Sequence, residues 1–141
     1  MKTYVLDTGV VLEALRHPLG PCGEYLRGAR RLEFGLAANV GLALEYEAIC
    51  NSSEHQATCG LSPEEGKAVG DALVGLLTPV ETRRLWHPRL RDPTDELVLE
   101  AAVNGRADAL VTYNLRHFAK AAARFGLRLA RPVDVLEEMR Q

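Results

Sequence analysis

The chain has 141 residues, 47% hydrophobic and 26% charged, a composition that suits one globular domain and excludes a disordered or fibrous chain. Seventeen basic residues against 19 acidic ones leave a formal net charge of −2, which excludes a polybasic or an acidic solvating tail. The sum is silent about local arrangement, so a basic groove remains open.

In chain order, Tyr4 to Leu6 is a short β-prone run ending at Asp7-Thr8-Gly9, and the helix formers of Val10 to Leu15 follow. Pro21 to Arg31 reads as a helix with Tyr25 and Leu26 on its apolar side, and Leu32 to Ala37 as a second strand. Asn39 caps a helix through Leu42, Leu44, Tyr46 and Ile49. Residues 51–60 are polar and irregular and read as a loop. Ser62-Pro63-Glu64-Glu65 supplies an N-cap, a first-turn proline and a capping-box acid, opening a helix to about Leu77. Val80 to Trp86 is expected as a strand. Asp92-Pro93-Thr94-Asp95 repeats the helix-start signature, and Leu97, Val98, Ala101 and Ala102 form the buried side of that helix. Ala109 to Thr112 reads as a strand, Phe118 to Arg124 as a helix, Leu127 to Ala130 as the last strand and Pro132 to Met139 as the closing helix.

Alternating strands and helices predict an α/β fold with a parallel sheet covered on both faces, as a single domain over residues 1–141. Functional groups in such sheets gather at the carboxyl ends of the strands, where Asp7 and Asn114 fall. Cys22, Cys50 and Cys59 are odd in number and lack a CxxC pair, so neither a disulfide framework nor a zinc site is indicated. Asp7 and Glu13 interrupt the N-terminal apolar run before a secretory segment forms, and no stretch is long enough to cross a bilayer. A cytoplasmic protein with no membrane partner is expected.

Asp7 lies one residue beyond a buried strand, where a carboxylate either binds a cation or caps the following helix. Glu45 and Glu47 share a helix but point about 200° apart, so they cannot both enter one site. Leu44 and Ile49 mark that helix's apolar face, with Glu45 adjoining it. Asp92 suits an N-cap and Asp95 the third helical position; with Glu96 they exceed what capping needs, and Mg²⁺ favours such a group. Thr112 and Asn114 can orient a water or a phosphate oxygen, Arg116 can neutralise a phosphate, and His117 can transfer a proton or ligate.

Taken together, Leu6-Asp7-Thr8-Gly9-Val10, Leu44-Glu45-Tyr46-Glu47, Asp92-Pro93-Thr94-Asp95-Glu96 and the run from Val111 to Phe118 resemble a PIN domain. The nearest likeness is to the VapC-like toxin ribonucleases of bacterial toxin–antitoxin pairs, over Tyr4 through Leu136. The resemblance implies a three-layer α/β/α fold with carboxylates converging on Mg²⁺ or Mn²⁺. By motif position, Asp7, Glu45 and Asp95 would hold the metal and Asn114 would complete the catalytic set. It also implies a metal-dependent endoribonuclease with an RNA substrate, a cognate antitoxin and a homodimeric state. Arg83, Arg84, Arg89, Arg91 and Arg116 are candidates for tracking the RNA backbone.

Two positions depart from the pattern. Gly9 stands where members usually have Asn, and His117 where they often carry Asp. Without a fourth acid the site should bind one ion more readily than two. The same departures motivate an alternative, a catalytically inert PIN scaffold that binds RNA or a protein. A haloacid-dehalogenase-like phosphatase also opens with a strand ending in Asp, but needs a second Asp where Gly9 stands.

Overall fold

The computed structural model of the chain describes residues 1–83 and 90–140. Five parallel strands form its sheet: β1 (Thr3–Leu6), β2 (Gly35–Ala38), β3 (Leu77–Pro79), β4 (Ala109–Val111) and β5 (Leu129–Ala130), in the order β3-β2-β1-β4-β5. Between them run α1 (Thr8–Arg16), α2 (Pro21–Arg30), α3 (Val40–Asn51), α4 (Ser53–Cys59), α5 (Pro63–Leu76), α6 (Pro93–Asn104) and α7 (Leu115–Phe125); α8 (Pro132–Arg140) follows β5. The expected three-layer α/β/α architecture with a parallel sheet is the one observed.

β1 pairs with β2 on one side and with β4 on the other, so the order of connection reverses between β1 and β4. The crevice beyond the carboxyl ends of such a pair is the place where open α/β sheets bind ligands. β1 and β4 reach it as continuous buried runs, Tyr4-Val5-Leu6 and Ala109-Leu110-Val111, because both faces of a parallel sheet are covered. The chain then turns polar at once. Asp7 and Thr112, the residues immediately after these strands, are buried polar groups.

Several helix ends follow their sequence signals. Ser62 and Glu65 form a reciprocal capping box on α5, Asn39 accepts from the Leu42 amide at the start of α3, and Asp92 accepts from the Thr94 amide at the start of α6.

Other expectations are corrected. Residues 51–60 are not a loop: α4 occupies Ser53–Cys59, capped by Ser52 and stopped by Gly60 in the left-handed region at φ 71°. The second strand begins at Gly35 rather than Leu32, because residues 31–34 close α2. Leu32 takes φ 61°, and the Leu32 and Glu33 amides bond back to Ala29 and Gly28.

The third strand is Leu77–Pro79, before the expected Val80–Trp86. It pairs with Leu36–Ala38 at the sheet edge, where a proline without an amide proton is tolerated. Residues 84–86 of the expected strand lie outside the described residues. The buried face of α3 is Leu42-Tyr46-Cys50, one residue per turn, whereas Leu44 is exposed.

Candidate active site

Asp7 is 3% exposed and serves two neighbours at once. One carboxylate oxygen accepts from the Thr8 amide at 2.8 Å, capping α1, and the other accepts from the Thr112 hydroxyl at 2.6 Å. Its own amide donates to the Val111 carbonyl at 2.9 Å, which ties the end of β1 to the end of β4. Thr112 in turn accepts from the Asn114 amide at 2.9 Å. Asp7 therefore caps a helix and is also fixed in the crevice; the two readings of the sequence are compatible.

Asp95 comes from the first turn of α6 and is partly buried. Burial pushes its carboxyl above the usual carboxylate range, and the charges of Asp7 and Asp92 push in the same direction. His117 opposes the shift, its Nδ1 lying 3.3 Å from an Asp95 oxygen. Asp7 and Asp95 thus sit close enough for their charges to repel, although 88 residues separate them in the chain.

Glu45 joins Asp95 along the wall of a cleft of about 290 Å³, together with Thr8, Gly9, Asp92 and His55. Two contacts set the spacing of the helices that carry these acids. Asn39 Nδ2 donates to the Leu97 carbonyl at 3.0 Å. Gly41 lies under the Leu97 side chain, where a Cβ would come within 2.6 Å. A third contact joins α3 to the strand, since the buried Tyr46 hydroxyl donates to the Leu6 carbonyl just before Asp7. Glu45 is the neighbour of the residue that makes that bond.

The structure therefore brings Asp7 and Asp95 together, sets Glu45 in the cleft beside Asp95, and holds Thr112 on Asp7. Glu47 does not line this cleft. Asn114 reaches the cluster through its backbone amide; its side chain is exposed and makes no cap for α7. His55 was not among the candidates, because its segment read as a loop. Ser52 and Gly60, bracketing seven residues, are the signals that would have placed it on a helix.

The donor set is made of hard oxygens, and among the described residues no lysine or arginine is ion-paired to Asp7, Glu45, Asp92 or Asp95. Repelling carboxylates without a lysine or arginine partner suit a divalent cation. Among the described residues, however, no three His, Cys, Asp or Glu side chains are gathered closely enough to hold an ion alone. That arrangement fits an ion such as Mg²⁺, which keeps several waters and takes only one or two carboxylates from the protein.

A family model described as PIN domain matches residues 3–116. The chain belongs to the PIN-domain family. The matched span contains Asp7, Glu45, Asp95 and Asn114, and PIN domains are in general nucleases that use divalent metals. No curated protein matches the chain. Among the described residues of this PIN domain, no helix is long and apolar enough to cross a membrane.

Proposed function

We propose that this PIN-domain protein is an endoribonuclease dependent on Mg²⁺ or Mn²⁺, acting as the toxin of a toxin–antitoxin pair. The observation that carries the reading is the nearness of Asp7 and Asp95 at the reversal of strand order, with no lysine or arginine ion-paired to either among the described residues. Asp7, Asp95 and Glu45 are the residues that would hold the metal, one or two of them directly and the rest through its waters. When bound, it would lower the pKa of a water and polarise the scissile phosphate.

The chain's own groups supply the positioning. Thr112 fixes the Asp7 carboxylate by donating to one oxygen, leaving that oxygen's other lone pair free. His117 Nδ1 lies 3.3 Å from an Asp95 oxygen and steadies that carboxylate, and its imidazole can carry a proton during cleavage. Arg91 and Arg116 are exposed and suit backbone phosphates. Arg83 is engaged with Glu81 at 3.4 Å, and Arg84 and Arg89 lie outside the described residues. A cut by an activated water would leave a 5′-phosphate and a 3′-hydroxyl.

The partners in this reading are RNA, a cognate antitoxin and a second copy of the chain. An exposed apolar stripe on α3, Val40-Leu44-Ala48, supports protein partners.

The test is RNA cleavage by purified protein with Mg²⁺ or Mn²⁺, beside Asp95→Asn. Cleavage by the wild type and its loss in the variant are expected. Equal cleavage by both would overturn the site. Absence of cleavage by either, with the fold intact, would favour the inert scaffold. A small adjacent gene for a DNA-binding antitoxin would support the toxin role.

A further inference from the structure

The acid cleft is not the larger cavity at this end of the sheet. Farther along α1, toward its carboxyl end, lies a cavity of about 580 Å³, walled by Pro18, Leu19 and Pro21, with the ring of Tyr113 on one side. Glu13 and Arg16 from α1, with His17 capping its carboxyl end, supply polar groups along its edge. Tyr113 directly follows Thr112, yet the two hydroxyls go separate ways. Thr112 bonds Asp7, and the Tyr113 oxygen lies 3.0 Å from Cys22 Sγ. The tyrosine ring is thereby fixed at its tip while the residue stays 51% exposed.

The opposite wall is built in advance. Gly20 donates to the His17 carbonyl at 2.9 Å, and the Arg27 guanidinium bonds the Pro18 carbonyl. The backbone passes so close to α2 that a Cβ at Gly23 would fall 1.9 Å from the Pro18 oxygen. Leu19 nevertheless projects outward at 92% exposure. From Thr8, which Asp7 caps, to Glu13 is five residues of α1, about 7.5 Å along the axis. Tyr113 is also the residue after Thr112, so one wall of the cavity adjoins the hydrogen bond that holds Asp7.

We propose that this cavity is a base-binding subsite, in which the ring of Tyr113 stacks on a nucleobase of a single-stranded RNA whose backbone crosses the acid centre. The inference rests on the nuclease reading and names where its substrate is gripped. A nucleobase has a flat apolar face and a hydrogen-bonding edge. The proline, leucine and tyrosine surfaces meet the first need, and Glu13, Arg16 and His17 meet the second. Glu13 and His17 lie 3.5 Å apart, and the exposed Arg16 beside them can meet a phosphate. An apolar protein side chain would use the walls but not these polar groups. RNA uses both.

The experiment is fluorescence anisotropy with the full chain in EDTA, where no hydrolysis occurs. The probes are single-stranded oligoribonucleotides of each base and an abasic strand of equal length. Tyr113→Ala should weaken base-containing strands by ~5- to 150-fold, the worth of one stacked base, and Leu19→Ser, which removes apolar wall but no ring, by less. Tyr113→Phe keeps the ring but loses the contact with Cys22 and should bind far more tightly than Tyr113→Ala, and the abasic strand should bind all variants alike.

Variants that bind as the wild type, or that lose abasic and base-containing strands equally, overturn the subsite. A wild type that does not distinguish the two kinds of strand also overturns it and leaves the cavity to a protein partner. If RNA is still cleaved with Mg²⁺ or Mn²⁺ in those cases, only the subsite falls. If no RNA is bound or cleaved, the nuclease reading falls with it.

Discussion

The two ends of β1 are built on opposite principles. At its amino end Tyr4 packs with Tyr25 and Phe34 in edge-to-face contacts, ring centres 5.5 to 6.1 Å apart, and Phe34 lies against Gly28 with no room for a Cβ. Three residues later, at the carboxyl end, Asp7 faces a second acid and has its oxygens on an amide and a hydroxyl. One end lowers the free energy of the fold by excluding water. The other raises it by crowding like charges, which are tolerable only because hydrogen bonds hold them. The packed core and the candidate site occupy opposite ends of one strand, so a substitution at one end should register in a different assay from a substitution at the other.

The largest expected separation comes from Asp95→Asn. It should cut RNA cleavage about a thousandfold or more, as several kcal/mol of charge stabilisation are lost, with the melting temperature unchanged or raised. Phe34→Ala should do the reverse. It should cost about 3–5 kcal/mol in urea unfolding, while cleavage per folded molecule, measured well below the midpoint, stays the same.

Thr112→Val touches both assays. One Asp7 oxygen loses its donor, so stability should fall by about 1–3 kcal/mol and cleavage by roughly 10- to 100-fold, and Thr112→Ser should restore both.

The smallest effects are in pH dependence, where two acids should have opposite signs. The guanidiniums of Arg31 and Arg27 hold Glu24 below the usual carboxylate range. The unfolded chain then binds the proton more tightly, so this stabilisation is present above about pH 4.5 and is lost as pH falls through the lowered value. Asp95 is raised, so the folded chain binds its proton more tightly; its favourable contribution is present in acid and is lost as pH rises through the raised value. Urea midpoints against pH in metal-free buffer should therefore fall less steeply toward acid in Glu24→Gln, and more steeply in Asp95→Asn.

What was legible in the sequence followed from local chemistry. A buried strand that stops at an acid, a Ser-Pro-Glu-Glu capping box and an Asp-Pro helix start each declare themselves within a few residues. α4 was illegible because Gln56 is its one buried residue, leaving no apolar period to read. β3 was misplaced because a three-residue edge strand with two exposed positions is defined by its partner β2, not by its own composition. Leu44 and Leu42 look alike in sequence, and only the packing of α3 makes one exposed and the other core. The four acids were nameable one by one, but the nearness of Asp7 to Asp95, and of His55 to Glu45, exists only once the chain has folded.

The crowding of Asp7, Asp92 and Asp95 has a thermodynamic corollary. A fold that carries mutual repulsion at one edge is coupled to whatever relieves it, so ion occupancy and unfolding share a single equilibrium. An ion at a hundred times its dissociation constant would add about 2.7 kcal/mol to the unfolding free energy. With such an ion bound, the melting curve would double as a titration of the site.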